Sequence, residues 1–447
     1  MHAAAKAGEL GLRCVVVDEN AEAGGQYYRQ PALGSVLAPD SRQQRGRIHI
    51  DHAASVATLR LGCTVYGMDG DGRFWLEQDG VAESVRPRAV LIATGAFDTP
   101  VAFPGWTLPG VMSAGAAQVL VKNQRVRPGQ RAVVAGSGPM LFAVAATLRR
   151  AGVRIAEIVE ATSFRQAMPF LPPTLLHPTR YAELAGYALP LVASRVPIRR
   201  GHIVAAAEGD GRLEAVRLRE SGRHGTSAGR ERTVEADLLC VGYGLSASTE
   251  LVRLAGCRLV WDDGLGQKVP DVDLWQAASR PGFFVAGEAG GLGGAEIAAV
   301  GGELAAIGAA RHLGRLQESE AAQQARSPRR RLRALKSFAA VLPRVFPRPD
   351  GLAQLPTDNT TLCRCENVTL SKVLEAMDES GAATLNEIKT TSRCGMGWCQ
   401  GRVCGMVLPT VLAAHRPGFD VASSFTARSP IRPIAAASMA ALEPRHE

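Results

Sequence analysis

The sequence has no run of 18 uninterrupted apolar residues, so no helix is expected to span a membrane. Its opening, "MHAAAKAGELGLRC", has neither a basic n-region nor a long apolar stretch, and it is not expected to act as a secretory signal. Cysteine is sparse, 9 in 447 residues, which excludes a disulfide scaffold and suits a reducing, cytoplasmic setting. No CxxC pair stands beside a glycine loop, which argues against a disulfide reductase. Cys14, Cys63, Cys240 and Cys257 are isolated and are expected to act as small buried hydrophobes. No Ser/His or His/Asp pairing suggests acid–base catalysis; His177, His202 and His224 read as ordinary polar residues. The net charge is +9, but no nucleic-acid motif accompanies it, so nucleic acid is not an expected partner.

What is present points to an α/β protein. The length suggests two to four domains, and 46% hydrophobic residues supply substantial cores. Glycine, at 48 residues, is abundant, as nucleotide folds require where backbone approaches ligand. Residues 2–10 read as an Ala-rich helix and Arg13 to Asp18 as a buried strand. "RGRIHI", "LRLGCTVYGMD" and "RFWLEQD" have strand character, as do 204–219 and 231–241.

Three stretches carry nucleotide chemistry. A dinucleotide fold opens with a strand and GxGxxG, and an acidic residue about 20 positions later binds the ribose. Near the start only the acidic end is present: Asp18 and Glu19, then Gly24, Gly25 and Gln26. Met1 falls about where the last motif glycine would just have passed. A strand and glycine loop of roughly 10 to 20 residues is therefore expected upstream. The second stretch, "AVVAGSGPMLFAVAATL", is a strand, a loop with Gly136 and Gly138, and a helix; Leu141 replaces the third glycine. Glu160 ends the next strand, which favours a free ribose hydroxyl, hence NAD or another adenine nucleotide, over NADP. The third is "FFVAGEAGGLGGAEIAAVGGELAA", with Gly287, Glu288, Gly293 and Gly294 before a long small-residue helix; "AVLIATG" holds Thr94 and Gly95.

"DENAEAGGQ", "AVLIATGAFDTPVAFPGW" and "FFVAGE" resemble glutathione-reductase-like flavoproteins with two dinucleotide-binding domains. That resemblance implies FAD, with Asp18 as ribose ligand and Glu19 second. It also implies that the acidic residue after "AG" contacts the ribityl chain; Glu288 stands where Asp is usual. The expected division is an FAD domain over 1–120 and 250–320, lacking its first strand and loop, and an inserted nucleotide domain over 121–249. A basic linker is expected over 321–357, a cysteine domain over 358–415, and a loosely ordered tail over 416–447.

Five of the nine cysteines fall within 42 residues, in "TLCRCENVTL" and "TSRCGMGWCQGRVCG". Cys363-x-Cys365, then 33 residues, then Cys399-x4-Cys404 makes two close thiolate pairs. All-thiolate ligation suits zinc or an iron–sulfur cluster. By spacing alone, Cys394 with Cys399 would serve as well. "NVTLSKVLEAMDESG" reads as a helix capped by Thr369, and "ATLNEIKTTSR" as a second short helix.

The pattern "CRCENVT…RCGMGWCQGRVCG" resembles the bacterioferritin-associated-ferredoxin-like [2Fe–2S] domain. It is most similar to the version fused to the large flavoprotein subunit of amino-acid and opine dehydrogenases and hydrogen cyanide synthase. The likeness implies Cys363, Cys365, Cys399 and Cys404 as ligands. It implies an electron-transfer subunit whose partner, an FAD-containing catalytic subunit, oxidises a C–N bond; a further small ferredoxin-like subunit is the other implied partner. Two other classes stay open: a stand-alone NAD(P)H-dependent flavin reductase with a [2Fe–2S] module, and a non-enzymatic iron–sulfur protein on a degenerate flavoprotein fold. Residues 326–348 hold seven arginines and one lysine, either a solvated linker helix or a contact for an anionic membrane face or acidic partner.

Overall fold

The computed structural model describes residues 1–30, 41–170, 178–221 and 231–440; His177 and His224 lie outside the described residues. Helix His2–Glu9 buries Ala4, Ala5 and Ala7 and packs on the long helix Ala295–His312. Small residues permit the close approach: a Cβ on Gly302 would lie 3.3 Å from Ala3. Strands β1 (Val15–Asp18) and β2 (Thr58–Leu61) form one parallel pair. Between them "RGRIHI" is not a strand but part of helix Ser41–Val56. Its alternating pattern misleads; the buried positions are Gln43, Gly46, Ile50 and Ala53, which follow the helical period instead. An antiparallel meander follows, β3 (Cys63–Met68), β4 (Phe74–Gln78) and β5 (Val81–Val85).

Strand β6 (Val90–Ile92) pairs in parallel with β19 (Phe283–Val285), so the "ATG" and "VAGE" segments are neighbours. An antiparallel ribbon of β7 (Ala96–Asp98) and β16 (Leu245–Ala247) leads into and out of the inserted unit. That unit holds a five-stranded parallel sheet in the order β11 (Ile198–Arg200), β10 (Arg154–Glu160), β9 (Arg131–Gly136), β15 (Leu238–Gly242), β8 (Val111–Ser113). It therefore starts before residue 121, because β8 and helix Ala114–Asn123 belong to its sheet and core. A Cβ on Gly136 would sit 2.0 Å from the Gly242 carbonyl oxygen, so only glycine lets β9 and β15 close there. Beside it lies an antiparallel sheet of β12 (His202–Glu208), β13 (Ala215–Glu220) and β14 (Arg232–Glu235).

The arginine-rich stretch forms helix Glu318–Ala339, whose Leu332, Leu335 and Ala339 join a core with Trp275, Ile297 and Leu304. Arg329 lies 4.0 Å above the Trp275 ring, so part of the positive charge stacks against protein. Among the described residues no helix is long and apolar enough to cross a membrane.

The cysteine domain comprises β20 (Thr361–Cys363), β21 (Val368–Thr369) and helices Leu370–Ser380, Leu385–Ser392 and Cys404–His415. Thr369 and Thr384 cap the first two. The domain is docked on the rest of the chain. The Trp106 indole donates to the Thr361 carbonyl at 2.7 Å, Arg402 pairs with Glu250 at 3.2 Å, and one continuous core joins Phe103, Tyr243, Leu362 and Leu408.

Residues 416–440 are not loose. Phe425 seats its ring against Gly395, Gly401 and Gly405, while its carbonyl accepts from Arg253 at 2.9 Å. Farther on, Ile431 donates to the Tyr66 carbonyl at 2.7 Å and Arg432 pairs with Glu19 at 3.2 Å. The composition is that of a free tail, but an aromatic in a glycine-lined socket and three polar ties anchor it. Phe425→Ala should cost roughly 3–5 kcal/mol. Calorimetry should show the cysteine domain unfolding earlier, with faster proteolytic cleavage between 416 and 432.

Candidate redox cofactor sites

The loops expected to hold FAD leave the carboxyl ends of parallel strands, where α/β sheets bind ligands. Asp18, at the end of β1, accepts from the amide and side chain of Asn20 at 2.9 and 2.8 Å. Glu19 is engaged by Arg432, a partner more than 400 positions away that no local pattern foretells. Gly24 has φ 113°, and a Cβ there would lie 2.7 Å from the Tyr28 carbonyl, so glycine is required in this turn. Gly25 and Gln26 lie beside it, both exposed. Thr94 donates to the Ser248 carbonyl at 2.7 Å, and the Ser248 amide donates in turn to the Gly95 carbonyl at 2.9 Å. These bonds hold the "ATG" turn against the returning ribbon.

Glu288 lies in a turn, Gly287–Gly290, directly after β19. Burial raises its pKa, and a hydrogen bond from the Gly294 amide partly offsets the rise. Gly293 and Gly294 thus bring the start of helix Ala295–His312 back to the carboxyl group. The donor set fits a flavin nucleotide in one further respect. Arg29 is a cation near Asp18 whose Nε is buried without a partner, as a phosphate neighbour would be before its anion arrives.

Asp98 is a partly buried acid that sequence reasoning did not single out. One carboxylate oxygen accepts from the Gly115 amide at 2.8 Å; the other is buried without a partner. Burial raises its pKa. The only available signal is an acid inside the apolar run "GAFDTPVAF". In the inserted unit Glu160 is buried, with its two oxygens accepting from the Gly138 and Thr162 amides, each at 2.9 Å. Burial pushes its pKa up against those hydrogen bonds.

The cysteines gather as a trio and a pair. The sulfurs of Cys363, Cys394 and Cys404 all lie within 4.8 Å of one another, and all three residues are buried. Cys365 is exposed and meets Cys399 through the thiol and amide of the latter. Hydrogen bonds from the Cys394 and Cys404 thiols hold Cys363 as a thiolate, with a pKa of about 2; the Gly395 and Glu366 amides also donate to it. Cys394 and Cys404 are correspondingly pushed up. A thiolate stabilised chiefly by neighbouring S–H groups belongs to a ligand set from which a metal would displace protons. The sequence separates Cys363 from Cys404 and Cys365 from Cys399; the fold brings each of these together and adds Cys394 to the buried group. Cys63, Cys240 and Cys257 are buried apart from these groups, and Cys14 is partly exposed.

Residues 1–302 match the pyridine nucleotide-disulphide oxidoreductase family. The chain belongs to that family. It is an FAD-dependent oxidoreductase, although no CxxC pair flanks its glycine loops. Among curated proteins, an opine oxidase subunit of Rhizobium meliloti is 32% identical, over 99% of this chain and 85% of that protein. Hydrogen cyanide synthase subunit HcnB of Pseudomonas aeruginosa is 33% identical, over 90% of this chain and 88% of its own. Among solved structures, L-proline dehydrogenase from P. horikoshii superposes with a TM-score of 0.69 at 20% identity, over 99% of this chain and 77% of that one, a likeness of fold. The family match ends before the cysteine domain, whose assignment rests on its own residues.

Proposed function

We propose that the chain is the flavin- and iron–sulfur-bearing electron-transfer subunit of a heteromeric dehydrogenase that oxidises an amine or amino acid. The observation that carries the reading is the cysteine domain, with its two thiol groupings, docked firmly on a flavoprotein fold. The relatives named as subunits of opine oxidase and hydrogen cyanide synthase support it.

Cys363, Cys365, Cys399 and Cys404 would hold a [2Fe–2S] cluster, and Asp18, Arg29, Thr94, Gly95 and Glu288 would line FAD. When bound, a flavin exchanges one or two electrons and the cluster one, so together they convert a two-electron oxidation into single transfers. The protein's share is positional. Arg402–Glu250, Trp106 and Phe425 keep the cysteine domain on the flavin-type body, so the distance between centres is fixed rather than left to a linker. Amides of Gly395, Glu366 and Cys399 aimed at ligand sulfurs tune the charge there. The C–N bond is oxidised to an imine in the partner, an FAD-containing catalytic subunit; a further small ferredoxin-like subunit completes the complex.

The test is substrate-driven reduction. The isolated chain should show little or no amine oxidation. Within the native complex, amino acid or opine should bring up the paramagnetic signal of a reduced cluster within the turnover time. Substrate-dependent turnover by the isolated chain would sink the subunit reading.

A further inference from the structure

The second glycine loop is an ordinary place to expect a nicotinamide dinucleotide, yet the amides of both Ser137 and Gly138 within it are already engaged. The Ser137 amide donates to the Gly242 carbonyl at 2.9 Å, and the Gly138 amide donates to Glu160 at 2.9 Å. Pro139, which caps helix Met140–Arg150, has no amide hydrogen to offer. The Leu141 and Phe142 amides turn back onto the carbonyls of Gly138 and Pro139 at 3.3 and 3.2 Å.

The face of the loop is covered as well. The Ser137 hydroxyl donates to the Pro347 carbonyl at 3.4 Å. A Cβ on Gly138 would lie 3.8 Å from the Phe346 ring, ordinary van der Waals contact, so the phenyl group occupies the approach that Gly138 keeps open for a phosphate. This strap is tied down on both sides. Val345 precedes it at 3% exposure, and Leu352 and Leu355 follow at 3% and 6%, inside the core shared with the cysteine domain.

We propose that the Phe346–Pro347 strap closes the second dinucleotide site, so that the inserted domain seats the linker to the cysteine domain and does not take a nicotinamide dinucleotide. The geometry has a thermodynamic corollary. Nucleotide and strap compete for one loop, and Leu352 and Leu355 continue from the strap into the cysteine domain. A nucleotide forced into the site would therefore loosen that domain, and a well-packed cysteine domain would reciprocally oppose nucleotide. The inference rests on the inserted domain alone and needs neither the amine substrate nor the partner subunit.

The experiment is calorimetric titration of the full chain, with its cofactors, using NADH and ADP-ribose. Unmodified chain should show no saturable binding tighter than about 1 mM. The double variant Phe346→Ala, Pro347→Gly should bind ADP-ribose at least tenfold more tightly while keeping its cluster spectrum. Hydrogen exchange on the unmodified chain gives an arm that needs no variant. Residues 342–349 should be protected as strongly as 136–141, and millimolar NAD should change neither. Micromolar NADH binding by the unmodified chain, equal affinity in the double variant, or rapid exchange across 342–349 would each overturn the proposal.

Discussion

Cys363→Ser should abolish the metal site outright. Iron and acid-labile sulfide should fall from about two each per chain to near zero, with loss of visible absorption and of the electron paramagnetic resonance signal after dithionite. Cys363 stands apart because both groupings depend on it. It is one half of the CxC that reaches the exposed Cys365–Cys399 pair, and it is the thiolate on which Cys394 and Cys404 converge. A serine hydroxyl would have to lose its proton at a far higher pH to serve as a ligand. Companion variants sort the remaining sulfurs. Tetrahedral metal–thiolate bonds of about 2.3 Å put two sulfurs on one metal roughly 3.8 Å apart, and the buried trio offers Cys363 two candidates, both within 4.8 Å. Under the proposed set, Cys404→Ser loses the cluster and Cys394→Ser retains it. The reverse pattern would transfer the inner position to Cys394. Zinc in place of iron in purified native chain would remove the electron-transfer reading altogether.

The same residues mark how far sequence alone reaches. The helix cap at Thr369, the strands ending at Asp18 and Glu160, and the glycine stretches were legible, because each is a local rule acting within a few residues. Helix Ser41–Val56 was not. Its "RGRIHI" core satisfies an alternating pattern and a helical one equally, and the burial of Gln43, Gly46, Ile50 and Ala53 at the helical period, with Gly46 against Tyr28, decides between them. The inserted domain begins earlier than expected because Val111–Ser113 is a three-residue strand, too short to register as one, that is fixed by pairing with residues 239–241. Phe425, Arg432 and Phe346 were invisible for a common reason. Each is a single side chain in a composition typical of linkers, and its role comes from partners on segments far away in sequence. Cys394 was visible as a residue but not as a neighbour, since its spacing to Cys399 merely repeats that of Cys399 to Cys404.

Docking of the cysteine domain has a second consequence, because its outer pair is built on a clash that only glycine avoids. A Cβ on Gly397 would lie 2.2 Å from the Cys365 Cβ and 3.2 Å from a Glu366 carboxylate oxygen. The first contact is to an atom one bond from the backbone, so no rotamer change relieves it. Gly397→Ala must therefore push the 364–367 turn away from the 396–400 turn. Asn367 at φ 50° and Gln400 at φ 52° already hold those turns in left-handed conformations that tolerate little adjustment. The overpacking should cost about 1–3 kcal/mol or more. The functional loss should exceed the loss of stability, because the displacement falls on the Cys365–Cys399 pair. Iron content should drop several-fold, and the residual signal should broaden as the outer sulfurs lose a single geometry. The FAD-type body makes none of these contacts, so flavin content and the thermal transition of the rest of the chain should stay within error of the parent. Gly381→Ala is the control. Gly381 also sits in the left-handed region, at φ 68°, but a Cβ there meets nothing within 4 Å. It should bear only the backbone penalty, about 1 kcal/mol, and keep its iron. Equal iron loss in the two variants would mean that general destabilisation, not the Cys365 contact, governs cluster retention.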